Sequence, residues 1–148
     1  MKAGEVYVDP SGLARLYLHQ AGSREMSAWR RRIGGTLAVT HLGRTEVINA
    51  IGRAVFWGYL AENLASEALG DFAMDFGEGR LRQAEILWRA ALNRAAELAQ
   101  SHTPTLGTRS LDVLHVACAL ELESRYFLTF DLRQQALASA VGLKPIKL

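Results

Sequence analysis

The 148-residue sequence predicts an α/β fold, an α/β/α sandwich with a central, mostly parallel sheet, formed by a single domain over residues 1–148. Short apolar runs rich in β-forming residues alternate with longer segments of helical periodicity. Strands separated by helices need crossover connections, which give parallel strands with helices on both faces of the sheet. We find no linker or internal repeat, and the length suits one domain with a substantial core.

The first half of the chain is predicted to hold two strands and four helices. Glycines mark the ends of three of these helices, at Gly34, Gly58 and Gly77. The predicted strands cover residues 5–8 and 36–40, and the predicted helices cover 11–19, 23–33, about 42–57 and 61–76.

In the second half, residues 80–100 have a mainly helical pattern that leaves a short strand near their start open. Residues 102–107 (HTPTLG) are predicted to form a loop, because proline, glycine and hydroxyl residues cluster there. The remaining elements are predicted as a helix at 111–124, a strand at 126–130, a helix at 132–141 and an edge strand at 145–148.

The composition narrows the class of protein. A hydrophobic content of 49% with 22% charged residues is typical of a folded chain. No apolar stretch is long enough to span a bilayer and no secretory signal precedes Asp9, so we expect a cytoplasmic protein without membrane contact. Cys118, the single cysteine, excludes an intramolecular disulfide and is expected to fill core space. The net charge of +2 does not by itself indicate nucleic-acid binding.

Three of the five aspartates adjoin apolar segments. Asp9 directly follows the apolar run VYV, Asp131 follows YFLTF, and Asp112 precedes VLHVACAL. A carboxylate beside buried segments costs free energy unless a positive or hydrogen-bonding group compensates it. Asp9 and Asp131 follow predicted strands, and the carboxyl ends of parallel strands form the edge where such sheets carry their functional sites. We therefore expect these side chains at that edge.

Each aspartate also has a simpler explanation as part of a helix start. Asp9 before Pro10 fits an N-cap followed by proline at the first helical position. Asp131 and Gln134 fit a capping box. Asp112 fits a first-turn acid, with Thr108 or Ser110 as the cap. The two interpretations are compatible, because a cap at the end of a strand already lies at the functional edge.

Glu46 is the fourth candidate acid, about one turn into the helix that follows the second strand. Taken alone, Glu46 indicates only a solvated helix face. Because it is expected at the same edge of the sheet as the three aspartates, we include it among the candidate site residues. Ser11 and Thr129 stand two residues from an aspartate, where a hydroxyl can orient a carboxylate, hold a metal-bound water or make an ordinary turn hydrogen bond. We interpret His115 as a buried, hydrogen-bonded histidine rather than a metal ligand.

Four carboxylates at one edge repel one another and resist ionising together. A hard cation such as Mg²⁺ or Mn²⁺ removes this conflict, and oxygen-only ligands suit those metals. Such a site can activate water and stabilise the leaving oxygen in hydrolysis of a phosphodiester. The sequence offers no convincing serine, cysteine or histidine nucleophile as an alternative.

Four segments resemble the motifs of PIN domains, especially the VapC-type ribonuclease toxins of toxin–antitoxin pairs. The third and fourth motifs are the more specific, and all four occur in the family's order. They are residues 8–17 (VDPSGLARLY), 45–50 (TEVINA), 109–117 (RSLDVLHVA) and 127–134 (FLTFDLRQ). Pro10 departs from the small or hydroxylated residue usual in the first motif, and residues 71–85 match the family poorly.

The resemblance implies a PIN-like fold and Mg²⁺- or Mn²⁺-dependent cleavage of RNA. The acidic quartet, both catalytic and metal-binding, is then Asp9, Glu46, Asp112 and Asp131. Ser11 and Thr129 support it, and Arg109 and Arg133 are candidate contacts to RNA. The resemblance also implies a homodimer and inhibition by a cognate VapB-type antitoxin. The alternative is a non-catalytic PIN-like module that binds RNA or a protein.

Overall fold

The computed structural model describes residues Met1–Leu148 as a mixed α/β fold in which every pair of hydrogen-bonded strands is parallel. A short 3₁₀ turn at Ala3–Glu5 precedes the first strand. The strands are β1 (Val6–Val8), β2 (Leu37–Thr40), β3 (Leu81–Ala84), β4 (Tyr126–Leu128) and β5 (Lys144–Ile146). The helices are α1 (Pro10–Ala14), α2 (Ser23–Arg32), α3 (His41–Phe56), α4 (Glu62–Gly77), α5 (Trp88–Leu106), α6 (Ser110–Glu121) and α7 (Leu132–Ala140).

The strands form two hydrogen-bonded groups that stand side by side. The first has the order β1-β4-β5, and the second pairs β2 with β3. β1 also lies against β2, so the two groups continue one layer. In the register of the first group, Val8 stands opposite Leu128 and Leu128 opposite Ile146. Within each group the carboxyl ends face the same way. The N–H of Ala3, before β1, donates to the carbonyl of Gly34, before β2, at 3.0 Å, so the two groups also start from the same end of the layer.

Two buried clusters, one on each face of this layer, explain the sandwich. Val6 and Val8 point to one side and join the side chains of α1 to α4, whereas Tyr7 points to the other and joins α5 to α7. This alternation is the period of two expected of a strand. Tyr7 stacks on Phe127 with 5.5 Å between ring centroids. The predicted α/β/α sandwich is confirmed.

Cys118 lies fully buried in the second of these clusters. Burial raises the pKa of its thiol to about 11, so the thiolate is disfavoured. The prediction that this cysteine fills core space is confirmed. No helix of the structure has the length and apolar character that crossing a membrane requires.

The structure corrects two of the predicted elements. Residues 102–107 are not a loop, because α5 continues to Leu106 with Pro104 in its last turn. Proline there removes only one late hydrogen bond, and Gly107, at φ 65°, ends the helix by donating to the Thr103 carbonyl at 2.8 Å. The helix predicted at 11–19 is shorter, since α1 ends at Ala14. The short strand left open near residue 80 exists as β3, parallel to β2.

Gly12 lies in α1 against the ends of β1 and β4, where there is no room for a side chain. A Cβ atom at this position meets Val8 Cγ1 at 2.9 Å and Leu128 Cδ2 at 3.0 Å. We expect Gly12→Ala to lower the free energy of unfolding by about 1–3 kcal/mol, the usual effect of overpacking a core. Urea denaturation followed by circular dichroism measures this change.

Gly52, in the middle of α3, provides the matched control. No atom lies within 4 Å of the Cβ position there. Gly52→Ala is expected to raise the free energy of unfolding by about 0.5–1 kcal/mol through helix propensity alone. Equal effects of the two substitutions would show that close packing at Gly12 is not what the fold requires.

Candidate functional site

Each of the four predicted acids lies at or near the start of a helix, and three of these helices follow a strand. Asp9 follows β1 and caps α1, and Asp131 caps α7 shortly after β4. Glu46 lies in the second turn of α3, which follows β2 directly, and Asp112 lies in the first turn of α6. Because the strands are parallel, the elements that carry Asp9, Glu46 and Asp131 start from the same edge of the sheet.

Asp9 is the buried member of the set, with 4% of its surface exposed. The Ser11 hydroxyl donates to Asp9 Oδ1 at 2.6 Å and the Gly12 N–H donates to the same oxygen at 3.1 Å. Thr129 Oγ1 lies 3.0 Å from Asp9 Oδ2. Burial raises the pKa of Asp9 above its ordinary value, although these hydrogen bonds act in the opposite direction. Ser11 and Thr129 thus stand where the sequence predicts, orienting this carboxylate.

Gln134 connects three of the acidic segments and was not predicted as a site residue. Oε1 of its buried side chain lies 2.6 Å from Thr129 Oγ1, whose single proton serves either this oxygen or Asp9 Oδ2, and its Nε2 donates to the Asp112 carbonyl at 3.1 Å. Its own backbone N–H donates to Asp131 Oδ1 at 2.9 Å. Asp131 therefore caps α7 as predicted, but the side chain of Gln134 crosses to α6 instead of closing a capping box. The spacing of Asp131 and Gln134 was the available signal.

Arg109 bridges two of the carboxylates. Its Nε donates to Asp112 Oδ2 at 3.0 Å, and its Nη2 lies 3.7 Å from Asp131 Oδ2. Asp112, and more weakly Asp131 and Glu46, raise the pKa of Arg109 above its ordinary value. The guanidinium is 76% exposed, so only these charges hold it in place. Arg109, predicted as an RNA contact, is the counter-ion of this acid pair in the structure.

Two further predictions around α6 are settled by its N-terminus. Arg109 itself occupies the N-cap position and makes no side-chain cap bond, so the prediction of Thr108 or Ser110 as the cap is wrong. Thr108 instead bonds Thr103 at 2.9 Å, across the turn that joins α5 to α6. Arg133 is exposed and donates to the Gly107 carbonyl at 3.2 Å, so it contacts this turn and not the acids.

Glu46 is held by two buried residues. His115 Nε2 lies 2.6 Å from Glu46 Oε2, and the Tyr7 hydroxyl lies 2.7 Å from His115 Nδ1. His115 is 2% exposed, which agrees with its interpretation as a buried, hydrogen-bonded histidine. Tyr7 was not predicted as a site residue, although an aromatic residue two positions before Asp9 has to point away from Val6 and Val8.

No three histidine, cysteine or acidic side chains are grouped closely enough to hold a metal ion. Glu46 is bonded to His115, and Asp112 and Asp131 share Arg109. The donor set still suits a hard cation, because it consists of carboxylate oxygens and one positive group already spans two of them. No ion pair includes Asp9, whose buried carboxylate is hydrogen-bonded by Ser11, Gly12 and Thr129.

The fold and this site define the class of protein: an α/β/α sandwich with an acidic cluster at the carboxyl ends of parallel strands. No protein-family model matches the chain, and no curated protein matches it either. The function of the protein is therefore inferred from the chemistry of this cluster.

The buried charge of Asp9 gives a prediction for stability against pH. The pKa of Asp9 is higher in the folded than in the unfolded chain, so folding favours the protonated carboxyl. That contribution is complete below the unfolded-state value and is lost as the pH rises through the folded-state value. At neutral pH the ionised side chain thus destabilises the fold. We expect Asp9→Asn to be more stable than the wild type in metal-free buffer.

Urea denaturation over a series of pH values measures the difference. It should shrink as the pH falls towards the ordinary aspartate pKa of 3.8. Asp71→Asn makes the same change at an exposed position and is the matched control. A neutral-pH loss of stability in Asp9→Asn would contradict the argument.

Proposed function

We propose that this protein is a metal-dependent endoribonuclease of the VapC type, the toxin of a toxin–antitoxin pair. The observation that carries the proposal is the acidic cluster, in which hydrogen bonds and one guanidinium connect Asp9, Asp112 and Asp131 across three helices. The resemblance of the four motifs to PIN domains supports the same activity. RNA is the substrate class that this resemblance implies.

The residues that would hold Mg²⁺ or Mn²⁺ are Asp9, Glu46, Asp112 and Asp131. A bound divalent ion supplies Lewis-acid stabilisation of a phosphodiester and lowers the pKa of a coordinated water. The chain itself supplies orientation. Ser11 and Thr129 orient the Asp9 carboxylate, and the hydrogen bond from Gln134 to the Asp112 carbonyl connects α7 to α6.

The guanidinium of Arg109 can pair with the carboxylates of the site or with a phosphate of the substrate. In the structure it neutralises Asp112 and Asp131, but its exposed guanidinium is attached to a long, flexible side chain. Released from the carboxylates, it is close enough to the site to donate to a phosphate of the substrate. Arg133, which approaches the turn before α6, offers a second positive group beside it.

The proposed partners are a second copy of the chain and a small antitoxin. A run of exposed aromatic side chains at the C-terminal end of α3 and just beyond it supports a protein partner, since surfaces of this kind commonly mark interaction sites. They are Phe56, Trp57 and Tyr59, and the first two rings pack edge-to-face at 5.2 Å between centroids.

A non-catalytic RNA- or protein-binding module is the second candidate. The observation that favours it is the absence of any three clustered ligands, with Arg109 bonded to two of the acids. The intact quartet argues for the nuclease, because a module that only binds has no need of four carboxylates at one edge.

RNA cleavage by the purified protein separates the two candidates. With Mn²⁺ or Mg²⁺ we expect structured RNAs to be cut, and with EDTA we expect no cutting. Asp112→Asn and Asp131→Asn should each lower kcat/KM by about 10²-fold or more, in the range of a group that takes part in the chemistry. Gel electrophoresis of end-labelled RNA gives the rates.

Asp71→Asn is the matched control and should cut at the wild-type rate. Cleavage that persists in EDTA, or that survives both Asp112→Asn and Asp131→Asn, refutes the metal-dependent nuclease. RNA binding without cleavage under any metal condition favours the non-catalytic module.

Arg109→Ala tests whether this side chain competes with a metal ion. Removal of the guanidinium leaves Asp112 and Asp131 without their cation, so Mn²⁺ affinity should increase several-fold. RNA binding should weaken, and its salt dependence should fall by about one phosphate contact. Isothermal titration with Mn²⁺ and filter binding of RNA at several salt concentrations measure the two effects.

Arg125→Ala is the control for Arg109→Ala, because Arg125 is also exposed and also pairs with a carboxylate, Glu5, at the opposite end of β4. It should leave Mn²⁺ affinity unchanged. Weaker Mn²⁺ binding in Arg109→Ala would mean that the guanidinium assists the site and does not compete with a cation.

A further inference from the structure

We infer that His115 and Tyr7 are positioning residues that fix the carboxylate of Glu46 for the proposed reaction. This inference rests on the function proposed above and goes beyond it, because neither residue touches a metal or substrate in that scheme. Tyr7 and His115 then determine the orientation of Glu46, and removing either of them should change the affinity for the metal.

The contacts form one chain from the core to the site. The Tyr7 hydroxyl lies 2.7 Å from His115 Nδ1, and His115 Nε2 lies 2.6 Å from Glu46 Oε2. Tyr7 and His115 are buried, whereas the side chain of Glu46 is 24% exposed. The chain thus begins in the core and ends at a carboxylate that solvent reaches.

The protons along this chain follow from what each group can do. An ionised carboxylate only accepts, so His115 must carry its proton on Nε2. In the neutral ring Nδ1 is then an acceptor, and the Tyr7 hydroxyl donates to it. All three groups are satisfied in a single tautomer.

The result is that the two oxygens of Glu46 have different roles. Oε2 is bonded to His115, while the protein makes no hydrogen bond to Oε1. One oxygen therefore anchors the side chain, and the other is left for a ligand. Carboxylates and imidazoles that bind metals are commonly oriented by such outer hydrogen bonds, whose loss weakens metal binding by about 10–100-fold.

The same chain of contacts joins the three elements that carry the neighbouring acids. Tyr7 lies two residues before Asp9 on β1, and His115 lies about one turn after Asp112 on α6. Glu46 lies on α3, which packs on the opposite face of the sheet layer from α6. The position of Glu46 relative to Asp9 and Asp112 is therefore set through His115.

The test compares three variants by Mn²⁺ affinity, measured by electron paramagnetic resonance on the whole protein. Tyr7→Phe removes only the hydroxyl and keeps the ring on Phe127. His115→Leu removes both hydrogen bonds, while His115→Gln keeps an N–H near the place of Nε2. We expect Tyr7→Phe and His115→Leu to bind Mn²⁺ about tenfold more weakly or worse. His115→Gln should recover a large part of the affinity.

Val116→Ala is the matched control, because Val116 is a fully buried neighbour on α6 that belongs to the core and does not bond Glu46. It lowers stability without changing Mn²⁺ affinity if the effect of His115 is specific. In RNA cleavage at saturating Mn²⁺, Tyr7→Phe should lower kcat and leave KM for RNA unchanged. A purely structural role predicts reduced thermal stability with unchanged affinity and kcat.

Glu46→Gln and Asp112→Asn separate failure of this inference from failure of the proposed function. If both of these variants lose Mn²⁺ while Tyr7→Phe and His115→Leu bind it like the wild type, the positioning role is refuted and the metal centre stands. If no acidic substitution changes Mn²⁺ binding, the metal centre and the positioning role are both refuted. Should His115→Leu fail to fold, Tyr7→Phe and His115→Gln decide alone.

Discussion

The burial of the Asp9 carboxylate is the constraint around which the functional edge is built. A charge placed directly after a buried strand loses most of its hydration, and the neighbouring structure has to replace it. Ser11 and Gly12 do so with hydrogen bonds from the adjoining helix start, and Thr129 contributes from the segment after β4. The local sequence after β1 and the segment after β4 are therefore tied to one side chain.

Polar groups that satisfy one another extend from this point through the whole edge. Thr129 bonds Gln134, and Gln134 reaches the backbone of α6 beside Asp112. No buried polar side-chain atom in the structure lacks a hydrogen-bond partner. Networks of this kind are rigid when complete, because each missing bond leaves a polar group in a medium of low dielectric. The carboxylates are thus held by the fold at fixed places before any ligand arrives.

Much of this arrangement could be predicted from the sequence because it depends on local patterns. Apolar runs located the strands, and the parallel topology then placed Asp9 and Asp131 at one edge. Contacts between distant segments could not be predicted in this way. Glu46 and His115 are 69 positions apart and Tyr7 and His115 are 108 apart, so no periodicity relates them. The prediction of a loop at residues 102–107 was wrong for a different reason. Turn-forming residues are also tolerated in the last turn of a helix, and α5 continues through Pro104.

The pairing of β1 with β4 has a consequence for the time at which this site comes into being. Val8 pairs with Leu128, and Asp9 is in contact with Thr129, which lies 120 positions later in the chain. Contacts between such remote segments form late, because closing a long loop must precede any gain from the contact. During synthesis on the ribosome, the acidic edge therefore stays incomplete until the segment that carries Leu128 and Thr129 has emerged. A shorter growing chain carries Asp9, Glu46 and Asp112 but not the assembled site, and any activity that depends on the site begins only after that segment has joined it.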